Sequence, residues 1–278
     1  MEHSSLSKAE KRDMPHFLAE QDHAPLSSCV ISTRVRHRVS TVTIRDAILI
    51  WVRKGTKTLH SPHAAAEFKA GEVMVLAQGS QWDVVNDIAP HGRYEALVLQ
   101  FGSDALRMFD DRHRSEFVVR PLDHYTRLGL DAQLEQGIQH AADGLLSEAL
   151  SSRLKLHRVL EVLLMLAERG CVLPSEKEVT WPDKVRRLVC QRPHAEWSLA
   201  RIGDFFHMSE STLRRRLAEF NTTAGELVRE ARMETALMLL QSTQLSVSEV
   251  AQRCGYDSHS RFTAAFRARY GYTPSYLR

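Results

Sequence analysis

The sequence predicts an α+β chain: a strand-rich N-terminal half closed by helices, then an all-α domain built from two helix-turn-helix units. Three observations carry that prediction. Residues 29–101 fall into short runs rich in Val, Ile and Thr; beyond Pro121 the leucines take helical spacing; and within 183–278 a helix-break-helix unit occurs twice. With 278 residues the chain is long enough for two domains, each with its own core.

The elements follow in order. Residues 1–25 are polar, lack the apolar stretch of a signal peptide and are expected to be loose. The runs "CVISTRVRHRVSTVTI", "AILIWVRKG", "EVMVLAQG" and "EALVLQF" are separated by turn residues, which argues for an antiparallel sandwich or barrel. Leu128, Leu130, Leu134 and Ile138 then suggest one helix. "SRLKLHRVLEVLLMLAERG" gives a second, closed by Gly170 as a C-cap. Residues 171–182, "CVLPSEKEVTWP", have Pro near both ends and a charge cluster between, and read as a linker from a first domain, 26–170, to a second, 183–278. The longest apolar run, 159–167, is about half a membrane span. A cytoplasmic protein with no membrane partner is expected.

The net charge of +3 hides an asymmetry. Residues 181–278 hold 15 Lys and Arg against 10 Asp and Glu, whereas the rest of the chain holds 22 against 24. Fourteen of those 15 cations are Arg, whose planar fork suits phosphate and guanine edges; Lys184 is the exception. Cys29, Cys171, Cys190 and Cys254 have neither disulfide-framework nor metal-ligand spacing and are expected as reduced, buried thiols.

The repeated unit is "SLARIGDFFHMSESTLRRRL" (198–217), recurring as "SVSEVAQRCGYDSHSRFTAAF" (246–266) at an offset of 48 and then 49 residues. Leu199 aligns with Val247, Ile202 with Val250, Leu213 with Phe262 and Leu217 with Phe266. Ser209, and Asp257 or Ser258, can cap the second helix of each unit. Two short helices joined by a tight turn, twice over in a basic region, are the arrangement that enters a DNA major groove. On a wheel of about 100° per residue with Leu213 at zero, Leu217 and Phe220 fall on the buried side. Ser211, Arg214 and Arg215 point outward, and Arg216 sits on the flank, reaching toward a phosphate or a neighbouring carboxylate. In the second unit Ala264 holds the outward centre, flanked by Ser260 and Arg261 with Arg267 one turn further on; so small a centre suits phosphate affinity more than base reading. Between the units, "GELVREARMETALMLLQS" reads as a helix of about 16 residues, roughly 24 Å long, a rigid spacer for two readers one DNA turn apart.

These stretches, with Ala251, Gly255, Tyr256, Ser258, Phe262, Phe266, Gly271, Thr273 and Pro274 in pattern, resemble the DNA-binding domain of AraC/XylS-type bacterial transcription regulators. The resemblance implies two units set in successive major grooves of double-stranded DNA. By position it places Ser211, Arg214 and Arg215 of the first unit, and His259, Ser260, Arg261 and Ala264 of the second, toward the bases; Arg216 and Arg267 join them as contacts. Thr222 departs from it, standing where the first unit usually has Gly, so the turn after the recognition helix is expected to differ. The resemblance further implies a cupin-like β-barrel that binds a small effector, dimerisation helices giving a homodimer, contact with RNA polymerase, and activation as the commoner outcome.

Enzymatic cupins hold a metal with three His and a Glu. Here Ala77 replaces the motif's Pro and Trp82 its His ligand, while His60, His63 and Glu67 are mis-spaced. No metal, cofactor or catalytic residue is therefore expected, and no other catalytic motif is present. Trp82 and His60 are the candidates for an effector pocket, although Trp82 equally fits a core and His60 a polar hairpin turn. Two alternatives stand beside the effector-controlled regulator. In one, the N-terminal half serves dimerisation or a protein partner only; in the other, a cupin-type enzyme is fused to a DNA-binding tail.

Overall fold

The computed structural model describes residues 26–62, 64–88, 90, 92–118, 124–173, 175 and 180–278; the segment 1–25 and His63 lie outside the described residues. The N-terminal half contains β1 (Ser27–Thr33), β2 (His37–Thr43), β3 (Ile48–Lys54), β4 (Thr56–His60), β5 (Ala65–Lys69), β6 (Val73–Leu76), β7 (Gln81–Asp87), β8 (Tyr94–Gln100) and β9 (Tyr125–Leu128). They form a five-stranded sheet, β1-β8-β3-β6-β9, and a four-stranded sheet, β2-β7-β4-β5, antiparallel throughout.

The first sheet is apolar on both faces. Ile50, Val52, Met74 and Leu76 meet Leu59, Phe68, Trp82 and Val84 of the second sheet. Their neighbours Leu49, Trp51, Val73, Val75, Leu97 and Leu99 pack under α1 (Ser103–His113), α2 (Ala132–Leu146) and α3 (Ser152–Glu168). Burial on both faces explains why these strands read as unbroken apolar runs, whereas β7, with one face open, alternates. No ladder joins the two sheets among the described residues, so the domain is a two-sheet sandwich and not the closed cupin-like barrel that the resemblance implied. Its edges are blunted: β9 has four residues, and β5 turns Glu67 and Lys69 to solvent.

Two further expectations are corrected. Leu128, assigned to a helix by spacing, ends β9 in register with Val73; α2 starts only after the N-cap Asp131, whose carboxylate accepts from Leu134 N. Residues 171–173, placed in the linker, are buried in the core beneath α1–α3. Gly137 lets α2 and α3 approach closely, since a Cβ there would meet Met165 Sδ at 2.6 Å.

The C-terminal half is all helix: α4 (Trp181–Gln191), α5 (Leu199–Phe205), α6 (Glu210–Ala218), α7 (Ala224–Ser242), α8 (Val247–Arg253) and α9 (His259–Tyr270). Helix α7 serves two cores. Leu227, Val228 and Ala231 pack with α4, Ile202, Leu213 and Leu217. Met233, Ala236, Leu239 and Leu240 pack with Val250, Phe262, Phe266 and Tyr270.

The halves are joined by more than the chain. Val39 of the second sheet is buried in the core of the second helix-turn-helix unit. Arg45 pairs with Glu234 at 2.7 Å and Asp183 at 3.3 Å, and Arg187 pairs with the buried Asp46. Arg269 donates to the carbonyls of Ser40 and Thr41, and Tyr276 donates to that of Arg36. Deepest lies His37, with Gln241 Nε2 at 2.7 Å and Asn86 Nδ2 at 3.3 Å from its Nε2. Asn86 in turn accepts from the buried Lys57 ammonium at 2.7 Å, which burial pushes down to about 7.

Candidate nucleic-acid interface

Each repeated unit is built by a serine cap at either helix. Ser198 and Ser246 accept from the first turns of α5 and α8, and Ser209 and Ser258 from those of α6 and α9. In both units the cap hydroxyl lies beside the serine two residues on: Ser209 to Ser211 at 3.0 Å, Ser258 to Ser260 at 3.1 Å. The tight turn between helices needs a left-handed residue. The second unit supplies Gly255 (φ 75°); the first uses His207 (φ 53°). In the first unit the turn also closes on Gly203, one helical turn earlier: a Cβ there would sit 2.8 Å from the carbonyl of Met208, a backbone atom that would have to shift. Gly203→Ala is expected to destabilise the protein by about 1–2 kcal/mol, read as a lower denaturation midpoint.

After α6 the left-handed position belongs to Asn221 (φ 50°), not to Thr222. Asparagine tolerates that region, which resolves the departure at Thr222; Gly271 (φ 83°) does the same after α9. Thr223 then caps α7 in a reciprocal box with Glu226. Phe220, grouped by the wheel with the buried side, is 46% exposed, because α6 ends at Ala218 and the chain has left helical phase.

Ser211, Arg214 and Arg215 are exposed on α6, around the buried Leu213 and Leu217. His259, Ser260, Arg261, Ala264 and Arg267 are exposed on α9, around the buried Phe262 and Phe266. His259, Ser260, Ala264 and Arg267 line one shallow depression with Thr263, which the wheel had not singled out. Arg216 is half-buried, with its guanidinium 4.3 Å above the Trp181 ring, and among the described residues it meets no carboxylate. That aromatic partner, 35 residues away in α4, gave no signal in the local pattern.

The electrostatics separate two groups of arginine. Arg45 and Arg187, between the domains, and Arg186, between α4 and α7, all pair with carboxylates. Among the described residues, Arg214, Arg215, Arg216, Arg261 and Arg267 pair with none within 4.0 Å. Unpaired cations on two equivalent helix faces raise a positive potential that a polyanion relieves.

The effector candidates lie apart. Trp82 is sealed in the sandwich at 1% exposure, its Nε1 donating to Ser80 Oγ at 3.0 Å. His60 lines a cleft of about 680 Å³ between the domains, with Arg36, His37, Arg38, Tyr272 and Tyr276. The four cysteines are free thiols; burial pushes Cys171 up to about 11 and Cys254 to about 12. Among the described residues no group of three His, Cys, Asp or Glu is placed to hold a metal, and no helix is long and apolar enough to cross a membrane.

Comparison with known proteins agrees with this architecture. Residues 202–278 match a helix-turn-helix domain family, and residues 47–170 match the ExsA N-terminal regulatory domain. The HTH-type transcriptional regulator YdeO of Escherichia coli K12 is 38% identical over 91 residues, 33% of this chain and 36% of that protein. The regulator GadX of Escherichia coli is 44% identical over 80 residues, 29% of each chain. The matched stretch thus spans about a third of the length of these relatives. Over nearly the whole chain the fold is that of ToxT from Vibrio cholerae. The apo K231A form gives a TM-score of 0.59 at 14% identity, covering 91% of this chain and 97% of that one. A form with bound unsaturated fatty acid gives 0.55, also at 14% identity, covering 93% and 96%. The relatives are transcription regulators, and both halves of this chain match domains of AraC/XylS-type regulators.

Proposed function

We propose that this protein is a sequence-specific regulator of transcription, acting in the cytoplasm as a homodimer and more often activating than repressing. Its α6 and α9 enter successive major grooves of double-stranded DNA. The observation that carries this reading is the set of unpaired arginines on the outward faces of two equivalent helices. The 19-residue α7 holds those helices apart; at 1.5 Å per residue it is about 28 Å long, close to one turn of DNA, about 34 Å. Arg214 and Arg215 are the base readers, Ser211 assists them, and Arg216 and Arg267 take phosphates. His259, Ser260 and Arg261 give the second unit register and affinity. Footprinting by the full chain tests the geometry: two protected patches one turn apart on one DNA face are expected, and one patch alone would rule out a second reader.

Control by a small effector is assigned to the interdomain cleft lined by His60, with Trp82 behind it as core. Two histidines and two tyrosines line it with Arg36 and Arg38, which already pair with Asp87 and Asp83, so an acid entering the cleft would compete with those carboxylates; a fatty acid is the class to try first, given the ligand of the similarly folded ToxT. A ligand at 100 times its Kd adds about 2.7 kcal/mol of stability. A thermal shift with an unsaturated fatty acid is therefore expected. No shift across a panel of acids would favour the reading in which the N-terminal half serves dimerisation or a protein partner, RNA polymerase included. For the dimer, the half-buried stripe Leu156, Leu160 and Leu164 on α3, with Leu154 at 52% exposure, is the surface to cover. A monomeric mass at micromolar concentration would sink it.

A further inference from the structure

We propose that Trp181, Lys184 and Arg216 form a subsite for one backbone phosphate beside the groove that α6 enters, with Trp181 as its positioning residue. This rests on the reading of α6 as the principal DNA reader. Trp181 opens α4, behind the N-cap Thr180. Two cations lie over its indole: Arg216 Cζ at 4.3 Å and Lys184 Nζ at 4.5 Å from the ring centroid. Phe206 supports the same ring edge-on at 5.5 Å and 90°.

Two like charges brought to one side chain repel, and a carboxylate between them would be the ordinary remedy. Among the described residues none is there: the nearest in sequence, Asp183, is held by Arg45 and Arg186. The ring quadrupole offsets part of the repulsion and leaves the rest of the charge available to an anion. Stacking also fixes what Arg216 can offer. A guanidinium lying over a ring keeps its N–H donors along its rim, the geometry that takes two phosphate oxygens at once, while the ammonium of Lys184 adds a point charge beside it.

Position then selects the ligand. Arg216 lies on the flank of α6, next to the outward Arg215. When Arg214 and Arg215 meet the groove floor, that flank meets the sugar-phosphate wall. Lys184, the single lysine in residues 181–278, thereby gains a purpose that its neighbourhood in α4 does not otherwise give it. Arg45 belongs to the N-terminal domain, so docking of the two halves keeps Asp183 turned to that domain and away from the adjacent Lys184.

The test uses the full chain and a fluorescent duplex carrying a selected site, titrated over a series of salt concentrations. Trp181→Leu is expected to weaken binding about fivefold and to lower the slope of log affinity against log salt by about 0.9, one phosphate's worth. Trp181→Phe, which keeps an aromatic face, should restore both to near wild type. Lys184→Met should lower the slope in the same way without touching the ring, which covers the case in which Trp181→Leu folds poorly. None of the three should change the preferred base sequence. An unchanged salt slope in Trp181→Leu and Lys184→Met, or equal loss in the Leu and Phe variants, would reduce the cluster to packing. Failure of the wild-type chain to bind any duplex would instead overturn the reading of α6 as well.

Discussion

Between pH 6.5 and about 4 the protein is expected to lose about 3 kcal/mol of stability through one side chain, His37. Its imidazole is 4% exposed, and burial pushes it down to about 4 from an ordinary 6.5. The hydrogen bonds show why the proton is unwelcome. Nδ1–H donates to the Val35 carbonyl at 3.2 Å, which leaves Nε2 as the acceptor facing the amide groups of Asn86 and Gln241. A proton on Nε2 would point at two donors, with the Lys57 ammonium behind Asn86 adding repulsion. Because the folded value lies below the unfolded one, the unfolded chain binds more protons in this window. Stability is thus full above about 6.5 and falls with pH until about 4. The gap of 2.5 corresponds to about 3 kcal/mol. Lys57, pushed down to about 7, adds a slope of the same sign near and above pH 7 and little below about 6, so the fall toward pH 4 belongs to His37. Denaturation midpoints from pH 7 to 4.5 should fall steeply for wild type and flatten in His37→Gln. Equal slopes would show that His37 is not the titrating group. Since Gln241 belongs to α7, the same proton loosens the seam between the domains.

The second large effect is on DNA. Arg215→Ala is expected to cost about 1–3 kcal/mol of affinity for the preferred site and to relax the choice of base at one or two adjacent positions. Arg215 is exposed on α6 and, among the described residues, carries no carboxylate partner. The fold should therefore survive and the loss fall on recognition. Binding of the variant to a panel of single-base substitutions checks this. Equal weakening of every duplex would make Arg215 a phosphate contact.

What was legible in the sequence was local. The caps at Ser209 and Ser258, the apolar spacing around Leu213 and Phe262, and the outward Arg214 and Arg215 all arise within one helical turn, where residue type acts directly on geometry. The left-handed turn was legible by type but misplaced by one position, since Asn221 does what was looked for at Thr222. Long-range partners left no local trace. Leu128 sits in a strand because Val73, 55 residues earlier in the chain, offers a ladder. His37 is buried because Gln241, 204 residues later, covers it. Trp82 could equally have lined a pocket or filled a core, since alternation says which face a residue takes but not what lies opposite. Closure of the sheets depended in the same way on edges that composition alone does not reveal.

Selection of random DNA duplexes by the full chain, with Arg215→Ala alongside, tests the central claim most directly. Two short preferred blocks about one helical turn apart are expected, the sharper block losing definition in the variant and the other unchanged. No enrichment by the wild-type chain, or a preference that Arg215→Ala leaves intact, would contradict the account.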